Sequence, residues 1–202
     1  LAVLDSAPWR PAKVVPFARP STKIPMVPYG DEQLSVEDID IARLGDFDLV
    51  IVATPPDVAL SLINEAVQQG VRVIDCSGVS SLEDGAPMVI PWVNPEALTD
   101  LRSRDVISVP GPAANLLASV LGPLQRAGLL GVLSATVLMP ASCWGRDGLD
   151  ELSRQVVALF NSGTPPRKIF PAGLAFDLLP EVGKRLESGL TVGELMAQTQ
   201  LG

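Results

Sequence analysis

Residues 46–78, DFDLVIVATPPDVALSLINEAVQQGVRVIDCSG, constrain the fold more than any other part of this chain. DFDLVIVATP is a continuous apolar run stopped by Pro55 and Pro56, the pattern of a strand buried on both faces. In the segment that follows, Val58, Leu62 and Ala66, with Ile63 and Val67, form one helical stripe. Asp57 can cap its start and Gly70 its end. VRVIDCSG then reads as a second buried strand closing in small polar residues. A strand–helix–strand unit of this kind predicts a right-handed parallel crossover.

On either side of this unit the pattern is looser. Residues 1–30 are dense in proline, which lacks an N–H and fixes φ, so short extended pieces such as KVVPF are expected there and no helix. PMVIPWV and DVISVP predict two more short strands, with NPEALTDL a short helix between them. A helix is expected from about Ala113 to Ala127, then GVLSATVLMP as a strand and GRDGLDELSRQVVALFN as an amphipathic helix. In TVGELMAQTQ, a further helix, Thr191 and Glu194 have the spacing of a capping box. One strand among longer helices and loops predicts a second domain, and no internal repeat is evident.

Composition excludes several functions. With 202 residues and 47% apolar side chains the chain can build a sizeable core. A net charge of −8 leaves no footprint for nucleic acid or an anionic membrane surface. No apolar run approaches the roughly 18 residues of a spanning helix, and no signal-peptide pattern opens the sequence. There is no histidine, so these residues hold no Ser-His or Cys-His couple, His-ligated zinc or His general base. Cys76 and Cys143 lack metal or CxxC spacing, and a reducing cytoplasmic compartment is expected. The first residue is Leu1, so a fragment, a processed product or a truncated chain is expected.

Open α/β sheets bind ligands at the carboxyl ends of their strands, which here are ATPPD (53–57), DCSGVSS (75–81) and the junction VISVPGPAANLL (106–117). Arg19, Ser21 and Lys23 cluster in one loop that could hold a phosphate. No GxGxxG or GxTGxxG occurs, and Gly128 and Gly131 read as a helix C-cap region. Cys143 has no evident base and reads as an inert thiol. Asp147, Asp150 and Glu151 around a helix start read as complements to the helix dipole, with no metal required.

Several blocks in order resemble one family. VIDCSGVSSLEDGAPMVIPWVNPEAL, SVPGPAANLL, GRDGLDELSRQVVALFN and FPAGLAFDLLP are similar to successive segments of the aspartate-semialdehyde dehydrogenases, and in character most like the divergent Usg-1-like branch. The resemblance implies an α/β fold: a partial Rossmann-type parallel sheet over residues 1–112, followed over residues 113–202 by part of an α+β dimerisation domain. It implies NADP as cofactor, a homodimer, and reduction of an aspartyl phosphate through a cysteine thioester. The family's glycine-rich loop would precede Leu1, and its catalytic histidine would follow residue 202.

Carried over residue by residue, the resemblance leaves most of the catalytic equipment missing. The family cysteine falls on Pro112, in a loop reading Val109-Pro110-Gly111-Pro112. The substrate-orienting glutamine falls on Met139, the phosphate-clamping arginine near Ser81, and the glutamate of the family's PEVN on Trp92, although Val93-Asn94-Pro95-Glu96 is kept. Proline offers neither a nucleophile nor an N–H. No catalytic residue is therefore assigned, and turnover of a small-molecule substrate is not expected. Arg19, Ser21 and Lys23 match the family loop at the adenosine phosphate, and Thr54, Ser77 and Gly78 complete the implied cofactor contacts. The expected protein is an oxidoreductase-family member that is catalytically inactive. The alternatives are a dimeric scaffold or nucleotide-binding regulator, or an acyl-phosphate reductase of the same fold.

Overall fold

The computed structural model describes residues 1–19, 24–83, 85–102, 105–180, 185–189, 191, 194–195 and 197. It divides into two compact units, Leu1–Asp48 and Leu49–Gly202.

In the first unit a single helical turn, α1 (Ala2–Asp5), precedes the proline-rich run. This corrects the expectation of no helix in residues 1–30: the first six residues hold no proline, so the Asp5 and Ser6 amides can bond back to the Leu1 and Ala2 carbonyls. β1 (Phe17–Ala18), β2 (Met26–Tyr29), β3 (Glu32–Ser35) and β4 (Glu37–Asp38) follow. β1 pairs with β4 in parallel, and β2 with β3 as an antiparallel hairpin. The hairpin turns at Gly30, whose φ of +58° suits glycine, and where a Cβ would lie 2.7 Å from Asp5 Oδ1. A 3₁₀ turn, Ile41–Asp46, is capped by the Asp40 side chain and buries Leu44.

In the second unit β5 (Leu49–Val52), α2 (Pro56–Gln68) and β6 (Arg72–Asp75) form the unit foreseen in residues 46–78. α3 (Val79–Glu83) follows, then a 3₁₀ segment, Pro95–Arg102, and β7 (Val106–Ser108). The strands make a parallel sheet in the order β5-β6-β7, with Val52 beside Asp75 and Asp75 beside Ser108. α2 starts with Pro56, which needs no N–H partner there, and Gly70 follows its end at φ +75°. Its stripe buries Ala59, Leu62, Ile63 and Ala66. Complete burial of Leu62 or Ile63 is worth roughly 1.5–3 kcal/mol each.

Three expectations need correction. β5 is not buried on both faces: Val52, Val73, Asp75, Val106 and Ser108 are buried on one, while Leu49 and Ile51 stand about 40% exposed on the other. PMVIPWV reduces to one bridge, Met88 to Ser108. The Asn94 side chain takes the Ile90 amide (2.7 Å) and gives to the Met88 carbonyl (2.8 Å), so these groups serve a loop instead of a ladder. GVLSATVLMP forms no strand among the described residues, because none of them pairs with it.

α4 (Pro112–Arg126) and α5 (Gly145–Phe160) lie within about a residue of their expected positions. Gly128 ends α4 at φ +69°, as its C-cap reading requires. Gly122 admits Val93, whose Cγ1 would be 2.9 Å from any Cβ there. Thr191 and Glu194 form the expected reciprocal capping box.

Candidate functional site

Because β5, β6 and β7 run in parallel, their carboxyl ends carry Thr54, Ser77, Gly78 and Pro112 to one edge of the sheet. The Cys76 amide bonds to the Val52 carbonyl (2.9 Å) and the Val109 amide to the Asp75 carbonyl (2.8 Å), fixing the three ends in register.

Asp75 organises that edge. Its side chain is buried, and Oδ1 accepts from the Ser77 amide (2.7 Å) and hydroxyl (2.5 Å). Oδ2 accepts from the Ser80 amide (2.9 Å) and hydroxyl (2.7 Å). Burial pushes the Asp75 carboxyl up, but the four hydrogen bonds from Ser77 and Ser80 together outweigh it and hold the group below its ordinary value. The Cys76 thiol is pushed up, by desolvation first and by the Asp75 charge second, which makes it a poor nucleophile. Thr54 Oγ1 and Ser108 Oγ are shielded from solvent and have no hydrogen-bond partner among the described residues.

β7 passes through Pro110 and Gly111 into α4, whose first residue is Pro112, an exposed side chain. The loop before β7 docks on α4. Trp92 Nε1 donates to Ser119 Oγ (2.8 Å), and Arg126 to the Val93 carbonyl (2.6 Å).

Glu151 corrects a further expectation. It does not complement the start of α5 but is buried, with Oε2 accepting from the Lys168 and Ile169 amides (2.8 Å each) and Oε1 from Phe170 (3.1 Å). Asp147 and Asp150 are exposed. Gln155, fully buried, accepts from the Leu174 and Ala175 amides and donates to the Pro166 carbonyl.

The site residues read from the sequence therefore separate. Ser77, Gly78 and Ser81 share one turn, with Ser81 Oγ donating to the Gly78 carbonyl (2.8 Å). Met139 lines an open groove of about 650 Å³ with Leu152, Leu174 and Leu178. Arg19 is exposed, next to β1 in the first unit, whereas Ser21 and Lys23 lie outside the described residues. Cys143 is an exposed free thiol. Asp75 was missed as an organising residue, although serines two and five positions after an aspartate at a strand end are a legible capping pattern. Among the described residues no group of His, Cys, Asp or Glu could hold a metal, and no helix is long and apolar enough to cross a membrane.

Comparison with known proteins supplies the remaining identification. Residues 6–101 match the profile of the semialdehyde dehydrogenase NAD-binding domain. Aspartate-semialdehyde dehydrogenase of Shewanella violacea is 26% identical over 195 residues, 96% of this chain and 58% of that protein. A USG-1 protein homolog of Haemophilus influenzae is 35% identical over 151 residues, 75% of this chain and 46% of that protein. Aspartate semialdehyde dehydrogenase II from Vibrio cholerae superposes with a TM-score of 0.86 at 21% identity, over 94% of this chain and 57% of that one, a likeness of fold. A probable aspartate-semialdehyde dehydrogenase from Pseudomonas aeruginosa gives 0.80 at 26% identity, over 93% and 56%. The chain spans about half the length of the curated relatives it matches. A parallel α/β sheet and a matched NAD-binding domain over residues 6–101 make this chain similar to the semialdehyde dehydrogenases.

Proposed function

We propose that this chain is part of a dinucleotide-binding, semialdehyde-dehydrogenase-like protein that lacks the covalent acyl-transfer step. The observation that carries this reading is Pro112 at the first position of α4, where the resemblance puts the family's nucleophilic cysteine. A thioester needs an attacking thiolate and donors for the oxyanion, and proline supplies neither an S–H nor an N–H. Met139 and Ser81, at the substrate-orienting and phosphate-clamping positions, support the same reading, since neither carries the amide or cation required.

Cofactor binding is retained in this proposal, with NADP as the group implied. When bound, it supplies hydride transfer. In the second unit Thr54, Ser77 and Gly78 are its contacts, and the unpartnered hydroxyls of Thr54 and Ser108 support a polar ligand at the sheet edge, because buried polar atoms ordinarily find a partner. Arg19, Ser21 and Lys23 are assigned to the adenosine phosphate on resemblance. A cytoplasmic homodimer is proposed on the same ground.

The full-length protein tests this. NADPH absorbance is followed with aspartyl phosphate, and in reverse with the semialdehyde, phosphate and NADP⁺. The expected result is saturable NADP⁺ binding by calorimetry without turnover. Robust turnover that Cys143→Ala abolishes would overturn the proposal. Neither binding nor turnover from a stable dimer would favour a scaffold.

A further inference from the structure

We infer that the turn from Cys76 to Ser81 presents hydrogen-bond acceptors and so selects a neutral donor group of its ligand, a ribose hydroxyl or a carboxamide N–H, against phosphate. The inference rests on the nucleotide reading only for the identity of the ligand.

The polarity follows from where each proton goes. A carboxylate only accepts, so the hydroxyls of Ser77 and Ser80 both donate to Asp75, at 2.5 and 2.7 Å. The Ser81 hydroxyl donates to the Gly78 carbonyl at 2.8 Å. A hydroxyl has one proton, so each of these serines can offer a ligand only its lone pairs. Four of the six amides of the turn point inward as well. Cys76 donates to the Val52 carbonyl, Ser77 and Ser80 to Asp75, and Val79 to Ser77 Oγ at 3.3 Å.

A phosphate site needs the reverse: amides pointing outward, or Lys and Arg close by. Residues 73–101 contain no lysine or arginine, and the charge beneath the turn is the Asp75 carboxylate. An anion placed here would meet lone pairs above a negative charge. Ser80 is 1% exposed, so the reachable acceptors are Ser77 and Ser81, both half-buried. Ser77 is the stronger determinant, since its proton is held by an ionised partner while that of Ser81 is held by a neutral carbonyl.

The test uses full-length, ¹⁵N-labelled protein and reads the amide resonances of residues 77–81. Nicotinamide and adenosine, neutral probes carrying a carboxamide and ribose hydroxyls, are titrated beside inorganic phosphate. At least one neutral probe is expected to shift these resonances and phosphate to leave them unmoved. Ser77→Ala, with resonances elsewhere unchanged, is expected to weaken that probe ~5–10-fold, the loss of about one hydrogen bond. Phosphate shifting the turn as strongly as the neutral probes, silence from both neutral probes, or an unaffected Ser77→Ala would each overturn the inference. Calorimetry with NADP⁺ separates the two readings. Dinucleotide binding with silent neutral probes sinks the acceptor turn alone, and a responding turn without dinucleotide binding sinks the nucleotide reading alone.

Discussion

Gln155 stands one helical turn after Glu151 on α5 and donates to its Oε1 at 3.3 Å, and the two side chains hold opposite ends of one irregular segment. Glu151 takes the amides of residues 168–170, and Gln155 those of residues 174 and 175. The segment between them has no ladder of its own, so these side chains replace one. Phe170 is buried under it, edge-on to Trp144 at 5.5 Å.

Gln155→Ala should therefore strip acceptors from two amides and a donor from the Pro166 carbonyl. The expected cost is ~2–3 kcal/mol, set by leaving buried polar groups unpaired. Chemical denaturation of the variant against the parent measures it, and a change within error would mean water replaces the side chain.

Acid should loosen the same segment. Burial pushes the Glu151 carboxyl up, but the amides of Ile169, Phe170 and Lys168, with Gln155, hold it below its ordinary value. Asp75 is lowered for the like reason, and Glu194 chiefly by the Thr191 amide and hydroxyl. A carboxyl lowered on folding contributes stability above its unfolded pKa, roughly pH 4, and loses it as pH falls through the folded value. Thermal midpoints from neutral to acid pH should fall steeply for the parent. Glu151→Gln should start lower and fall less; an identical acid slope would show that Glu151 takes no part.

Pro112→Cys should yield a reactive thiol. The position opens α4 and is exposed, and a helix N-terminus favours a thiolate. Iodoacetamide should label it faster than Cys76, whose thiol is pushed up, as read by peptide mass spectrometry in a Cys143→Ala background. Slower labelling than at Cys76 would mean that this helix start has no activating field.

Two glycines should tolerate alanine unequally. At Gly148 a Cβ would meet the Ala141 carbonyl oxygen at 2.6 Å and Trp144 Cβ at 2.8 Å, contacts near the backbone that cannot swing away. At Gly122 the obstacle is one methyl of Val93, which can rotate. Gly148→Ala should cost about 1–3 kcal/mol of overpacking. Both positions are helical and gain the same propensity, about 1 kcal/mol, so Gly122→Ala should cost less because rotation of Val93 relieves its clash. Equal losses in thermal or chemical denaturation would contradict this order.

The regular elements of the second unit were legible because their cause is local. An apolar run broken by Pro55 and Pro56, a helical stripe from Val58 to Val67, and the spacing of Thr191 and Glu194 each carry their own signal. PMVIPWV misled because Val89 and Ile90 are buried as in a strand, and only the Asn94 side chain, occupying the Ile90 amide and the Met88 carbonyl, reveals that pairing stops at one bridge. Glu151 misled because an acid near a helix start has an adequate local explanation in the dipole, while its three amide partners lie 17 to 19 residues away.

By itself the sequence determined the strand–helix–strand unit, the proline at the junction after β7 and the absence of histidine, since periodicity and the chemistry of single residues need no partner. Only the tertiary structure decided which polar groups face one another. Whether Ser77 offers a proton or a lone pair depends on Asp75 being buried beneath it, and that burial comes from β6 lying between β5 and β7.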